Sequence, residues 1–349
     1  MNRFERIKAA LNFEDVDRIP VNLWMHFSAY DQNPKLLAEK QVAYARKYDF
    51  DFIKLAPFGL YGVEDWGVEI EYFNKINRPP AVKQYAIESI DDWTRLEVLP
   101  AIYGTYGKQL QLSQHVAKLS KGEFPFVQTI FSPLTTAHKL AGDRLFLDIR
   151  ENPAIIKQAL DIITETTINF VKANIEAGVS GFFFATKSAT RDLFTETEYK
   201  EFGVPYDLKV IHSYNKQTFF NIAHIHGPNN LFHLIAAYPV NCLNWHDRWV
   251  SPSLAEARKI TDKCLLGGIR EVPYFDEHNR IIRKSLLVDG SVNEVENHVR
   301  EAIREVDGKG LILGPGCVAD QEASEKNIYA VRRASVFGSP KVVTEATTA

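Results

Sequence analysis

The chain has 349 residues, 45% hydrophobic and 24% charged, with a net charge of −3, ordinary proportions for a soluble globular protein. The charge balance offers no basic surface for nucleic acid or an anionic membrane, and no apolar run reaches the ~20 residues of a membrane helix. Met1-Asn2-Arg3-Phe4-Glu5-Arg6 opens a charged amphipathic stretch rather than a signal peptide, and three cysteines (Cys242, Cys264 and Cys317) argue against a disulfide framework, so a reducing, cytoplasmic setting is expected.

Short apolar runs recur along the chain, at 19–24, 50–56, 124–131, 181–185, 218–223, 240–244, 264–269 and 311–314. Each has the length of a buried strand. The stretches between them carry helix-start signals. Asn33-Pro34 and Asn152-Pro153 place a capping side chain before a proline at the first helical position. Thr195 with Glu198, Ser253 with Glu256 and Ser291 with Glu294 have the capping-box spacing. Strand and helix in alternation imply a parallel sheet with crossover helices. Eight such units predict a single (β/α)8 TIM barrel over residues 1–340. The structural alternative is a doubly wound sheet, but no G-x-G-x-x-G follows an early strand. The long unit at 59–123 is expected as an insertion between strands 2 and 3, a smaller one is expected at 270–284, and 341–349 is expected to be a disordered tail.

The strongest local signal is His224-Ile225-His226-Gly227, just past the fifth run. Residues i and i+2 of a strand share a face, so two imidazoles can grip one ion where barrel strands face substrate. The second signal is Leu313-Gly314-Pro315-Gly316-Cys317, ending the eighth run. Alone, each also reads as ordinary strand-end polarity or an inert thiol; together they fall on the same barrel face. His246, Asp247 and Arg248 follow the sixth run. His246 reads as a general acid/base and Asp247 as a group that orients a ligand or substrate, the alternative being a salt-bridged loop. Glu64 and Asp65 follow the second run and read as catalytic candidates or as a capped, solvated loop. His26, Lys187, Trp245 and Arg248 are candidates to contact substrate.

These segments carry a family likeness. Asn221 to Gly227, then Gly314-Pro315-Gly316-Cys317 with Ser324-Glu325-Lys326-Asn327, resemble the H-x-C…C zinc motif of coenzyme M methyltransferases in the uroporphyrinogen decarboxylase superfamily. Tyr238 to Arg248, Pro252 to Arg258, Leu266 to Ile269, and Phe131 to Leu134 with His138 to Gly142 fit the same superfamily. The resemblance implies a TIM barrel and a metal at His224, His226 and Cys317. Two departures matter. The decarboxylase proper carries R-Q-A-G-R-Y after its first strand, where this chain reads Trp24-Met25-His26-Phe27-Ser28-Ala29-Tyr30, so the cations for a tetrapyrrole's carboxylates are missing. And His226 stands where the methyltransferases have cysteine. One thiolate with two imidazoles leaves zinc with a net charge of about +1, a stronger Lewis acid than the neutral two-thiolate site.

The resemblance therefore implies a zinc-dependent methyltransferase or demethylase acting on a small methylated substrate, with thiol, corrinoid or folate as acceptor. Zn2+ is the expected ion, with another transition metal as alternative. Corrinoid or tetrahydrofolate is the implied co-substrate. With no D-x-H-x-x-G motif in the chain, a corrinoid would arrive on a partner protein; a homodimer is the expected assembly. The competing reading is a metal-independent carbon–carbon lyase of the decarboxylase type.

Overall fold

The computed structural model describes residues 1–73, 75 and 78–336. The tail expected at 341–349 lies outside them. The main sheet has seven parallel strands: β1 (Ile53–Lys54), β2 (Phe126–Phe131), β3 (Gly181–Thr186), β4 (Ile222–Ile225), β5 (Cys242–Trp245), β6 (Cys264–Ile269) and β7 (Leu311–Pro315). Each pairs with the next in chain order. Helices alternate with the strands, which gives an α/β, TIM-barrel-like fold.

The first apolar run departs from expectation. It forms no ladder, only a single parallel bridge from Val21 to Leu313. Its backbone nevertheless joins both edges of the sheet: Leu313 N–H donates to Pro20 O at 2.8 Å, and Asp51 N–H to Val21 O at 2.9 Å. The buried Asp51 carboxylate holds this segment by accepting from Val21 N–H at 2.8 Å while Arg6 and Arg18 neutralise it at 2.7 and 2.5 Å. A charge removed from water this completely needs that paired, multiply bonded setting.

Alternation along the strands produces two cores. Phe52, Val127, Phe183, Ala185, Ile222, Cys242, Cys264, Leu266 and Ile312 point inward, and helix Arg3–Leu11 plugs one end with Ile7 and Ala10. The outward residues pack under the helices in a larger cluster. The expected helix signals act locally: Asn33 caps Pro34–Lys47, Pro153 opens Pro153–Glu176, and all three capping boxes form. Between β1 and β2 lie an antiparallel hairpin (Glu69–Glu71 with Ala81–Gln84) and the helices Ile90–Trp93 and Gly104–Ser120. A second hairpin, Tyr274–Phe275 with Ile281–Arg283, follows β6. No helix among the described residues is long and apolar enough to cross a membrane.

Candidate metal centre

Register decides what meets at the C-terminal ends of the strands. His224 of β4 lies opposite Asn244 of β5, and Asn244 opposite Leu266 of β6. All three point inward, so His224 and Asn244 are side-by-side neighbours on one face. Two residues further on, His226 and His246 repeat the pairing, with ring centroids 4.8 Å apart. Cys317 enters from the turn after β7. Gly316 permits that turn, because a Cβ there would stand 2.7 Å from the Cα of His246.

One ligand atom each of His224, His226 and Cys317 lies within 4.8 Å of the others. A common point therefore exists within about 2.8 Å of all three (4.8/√3). Zinc bonds of about 2.0–2.1 Å to nitrogen and 2.3 Å to sulfur require only a modest inward movement of side chains.

The surroundings prepare the donors. His224 Nδ1 stands 2.6 Å from Asn244 Oδ1, while Asn244 Nδ2 donates to Leu266 O at 2.8 Å and Pro315 O at 3.1 Å. With its amide nitrogen committed to two carbonyls, Asn244 offers only its oxygen, so His224 carries its proton on Nδ1 and keeps Nε2 free as a ligand. Desolvation, with help from the neighbouring imidazoles, holds His224 neutral; it also lowers His226, to about 3. Desolvation raises the Cys317 thiol to about 11, against the pull of Lys54. The three donors form two neutral imidazoles and one thiol, a set that fits a zinc site with an open fourth position.

A second line of support reaches His226. Glu271 Oε1 accepts from His246 Nδ1 at 2.5 Å, and His246 Nε2 faces His226 Nδ1 at 3.2 Å. The carboxylate places the His246 proton on Nδ1, which leaves Nε2 to accept from His226 and frees His226 Nε2. Glu271 is fixed in turn by Gly316 N–H at 3.2 Å.

Sequence reasoning placed His246 beside the cluster but missed Asn244 and Glu271. Asn244-x-His246 on β5 repeats the two-residue spacing of His224-x-His226 on β4, and that repetition on adjacent strands was the available signal.

Other candidates are placed elsewhere. Asp247 does not meet an imidazole: both its oxygens accept from Gly268 N–H, at 3.1 and 2.9 Å. Trp245 points outward, fully buried against Phe232, and donates to Pro252 O. Arg248 is ion-paired with Glu301 and Glu305. Glu64 accepts from Tyr72 and Thr105, and Asp65 caps helix Gly104–Ser120 through Thr105 and Tyr106 N–H. In each case the side chain's polar atoms serve the scaffold. Two candidates do face the mouth. His26 lines a cleft of about 410 Å³ together with Glu271 and Val318, and Lys187 stands exposed at the rim, close enough for its charge to depress His226.

Comparison with known proteins bears on this geometry. The family model described as Uroporphyrinogen decarboxylase (URO-D) matches residues 2–335. The methylcobamide:CoM methyltransferase MtaA of Methanosarcina barkeri is 23% identical over 352 aligned positions, covering 93% of this chain and 95% of its own. The methylcobamide:CoM methyltransferase MtbA of Methanosarcina acetivorans is 21% identical over 235 residues, 64% of this chain and 69% of its own. A solved methyltransferase from Methanosarcina mazei superposes with a TM-score of 0.80 at 22% identity, covering 96% of this chain and 98% of that one.

Proposed function

The chain belongs to the uroporphyrinogen decarboxylase (URO-D) family, and within that family we propose that it is a zinc-dependent methyltransferase passing a methyl group from a methylated corrinoid on a partner protein to a small thiol. The observation that carries the reading is the convergence of His224, His226 and Cys317 at the strand ends, with their ligand atoms within 4.8 Å of one another. The methylcobamide specificity in the relatives' names supports corrinoid over folate as the donor. The chain is read as a single (β/α)8 barrel, with the run at 19–24 in the place of its first strand and 59–123 inserted between the second and third.

In the transfer, a thiol R–SH gives its proton to solvent at the open mouth of the site, the sulfur lone pair forms the new S–CH3 bond, and the methyl–corrinoid bond breaks with its electron pair staying on the corrinoid. Bound zinc would act as a Lewis acid that lowers the pKa of a thiol in its open position. The chain's own residues supply the rest. Asn244 and the Glu271–His246 pair hold the two imidazoles in the tautomers that present Nε2. Cys317 would supply the single thiolate once a metal displaces its proton. Phe183, stacked on His224 at 5.1 Å, and Trp24 keep the floor of the site dry, which strengthens every charge interaction above it.

The test is transfer from methylcobalamin to a thiol, followed by loss of the methyl–cobalt absorbance. Zinc-loaded wild type should transfer methyl, and Cys317→Ser should fall at least a hundredfold. Release of carbon dioxide from a carboxylated substrate, with no methyl transfer and equal rates in both proteins, would replace this reading with the lyase.

A further inference from the structure

The segments that leave the C-terminal ends of β1 and β6 each carry a two-stranded hairpin, and the two dress their surfaces oppositely. In Glu69–Glu71 with Ala81–Gln84, the apolar Ile70 and Val82 are half-buried, while Glu69, Glu71, Lys83 and Gln84 face solvent. That is the ordinary division of a hairpin with one covered face. In Tyr274–Phe275 with Ile281–Arg283 the exposed positions are apolar. Phe275 is 51% exposed, Ile281 61% and Ile282 67%. Phe275 and Ile281 are cross-strand partners. Ile282 points to the opposite side of the strand from Ile281, so the ribbon stands clear of the barrel on both faces.

The ribbon is firmly built. At its base the Tyr274 ring takes the guanidiniums of Arg270 and Arg283, at 4.3 and 5.3 Å from its centre. At its tip Asp276 accepts from the amides of His278 and Arg280 at 2.9 Å each, and from Arg280 Nε at 2.7 Å. Its charges are spent locally, Arg280 on Asp276 and Arg283 on Glu294. What it offers outward is apolar surface gathered in one place, the mark of a contact site rather than of scattered exposure.

Its position says what the partner brings. Glu271 before the hairpin and Lys284 after it both line the mouth cleft with His26. Arg270 ties the hairpin's base to the loop after β5, donating to Pro273 O and Arg248 O. In that loop the half-exposed Trp249 donates to Glu271. An object seated on the ribbon therefore covers the cleft that Glu271 shares with the candidate metal centre. A second barrel seated there would close the mouth to a ring as large as a corrin, whereas a protein that carries the corrinoid would bring it to the opening.

We propose that the face formed by Phe275, Ile281 and Ile282 docks the corrinoid-bearing methyl donor, through an apolar patch beside that protein's cofactor. The proposal rests on the methyl-transfer reading above and deepens it by assigning the donor's seat. A contact made by so few apolar side chains is small, which suits a partner that must leave after each transfer.

The test compares zinc-loaded wild type with the variant Phe275→Thr/Ile281→Thr/Ile282→Thr, which keeps strand-forming side chains on the ribbon. Each protein receives methylcobalamin either free or bound in a D-x-H-x-x-G corrinoid-binding domain, with 2-mercaptoethanol as acceptor. Binding of the domain is read separately by interferometry. Both proteins should use free methylcobalamin at the same rate. With the bound form, the variant's affinity for the domain should fall, and its KM rise, by about tenfold or more, with kcat unchanged. No transfer from free methylcobalamin, with hairpin-dependent binding of the domain, defeats the transfer reading alone. Transfer from free methylcobalamin, with domain binding that is absent or unaffected by the variant, defeats the docking surface alone. If the variant does not fold, salt decides with wild type. Apolar docking should change in affinity by less than about threefold between about 0.05 and 0.5 M salt, and a steeper loss overturns the proposal. A wild-type dimer in sedimentation that the variant dissolves would overturn it too, because the face would then belong to a second copy of the chain.

Discussion

Asn244 determines which nitrogen His224 presents to the cluster. Its Oδ1 lies 2.6 Å from His224 Nδ1, and its amide protons are held by the carbonyls of Leu266 and Pro315. The side chain thus spans β4 to β7 and locks one tautomer. Asn244→Ala should weaken zinc binding by roughly 10–100-fold, the usual loss when such a supporting partner is removed. Competition with a chromophoric chelator measures it; wild-type affinity in a folded Asn244→Ala protein would show that the tautomer needs no such lock.

Glu271 and Asp247 are both acidic residues near the strand ends, and they should behave oppositely. Glu271→Gln removes the charge that fixes the His246 proton, so zinc affinity should drop about tenfold. Asp247→Asn should leave affinity unchanged, because the Asp247 carboxylate is hydrogen-bonded to the Gly268 amide and not to an imidazole of the cluster. The same chelator competition ranks the two variants, and a larger effect from Asp247→Asn would reverse the assignment.

Zinc uptake should release a proton. Desolvation keeps Cys317 a thiol, with its pKa pushed to about 11, and holds both imidazoles neutral. One proton must leave as sulfur binds, and none leaves from the histidines. Affinity should therefore rise about tenfold per pH unit between roughly pH 6 and 9, the slope of a single-proton exchange. Calorimetry in buffers of different ionisation enthalpy counts the protons; zero released would remove Cys317 from the ligand set.

Stability has its own pH signature in Asp207. This carboxyl is fully buried, accepts from Tyr199 and Tyr238 at 2.6 and 2.8 Å, and is raised by desolvation from 3.8 to about 7. An acid raised on folding binds its proton more tightly in the native state. Its stabilising contribution is complete below the unfolded pKa and is lost as pH climbs from about 4 to 7. Asp207→Asn cancels this dependence. Between pH 5 and 8 its unfolding free energy should gain about 2–3 kcal/mol relative to wild type. Urea denaturation at the two pH values provides the comparison, and a difference that does not change with pH would refute the assignment.

The candidate cluster was legible in the sequence because its residues lie on strong local patterns. His224 and His226 obey the two-residue period of a strand, and Cys317 follows a glycine-rich turn. Residues whose roles depend on register were harder to see. Asn244 looks like any strand asparagine until β4 and β5 are paired, and Lys54 like a surface lysine until its side chain is found buried over the Phe183 ring. Asp247, Glu64 and Asp65 were over-read because proximity in sequence to a strand end does not tell which way a carboxylate turns. In the structure Asp247 turns to the amide behind it, Glu64 to Tyr72 and Thr105, and Asp65 to a helix terminus. The first run is strand-like in sequence and lies between the two edges of the sheet, but it bridges β7 only at Val21 and is tied on its other side partly by side chains, through the Asp51 carboxylate and the Asn22 amide.

X-ray absorption at the zinc edge of the purified, zinc-loaded chain tests the centre most directly. One zinc per chain is expected, with two imidazole nitrogens at about 2.0–2.1 Å and one sulfur at about 2.3 Å. The sulfur signal should vanish in Cys317→Ser, and one imidazole in His226→Ala. A chain that retains no zinc, or zinc whose shell is unchanged in both variants, would contradict a metal centre at His224, His226 and Cys317.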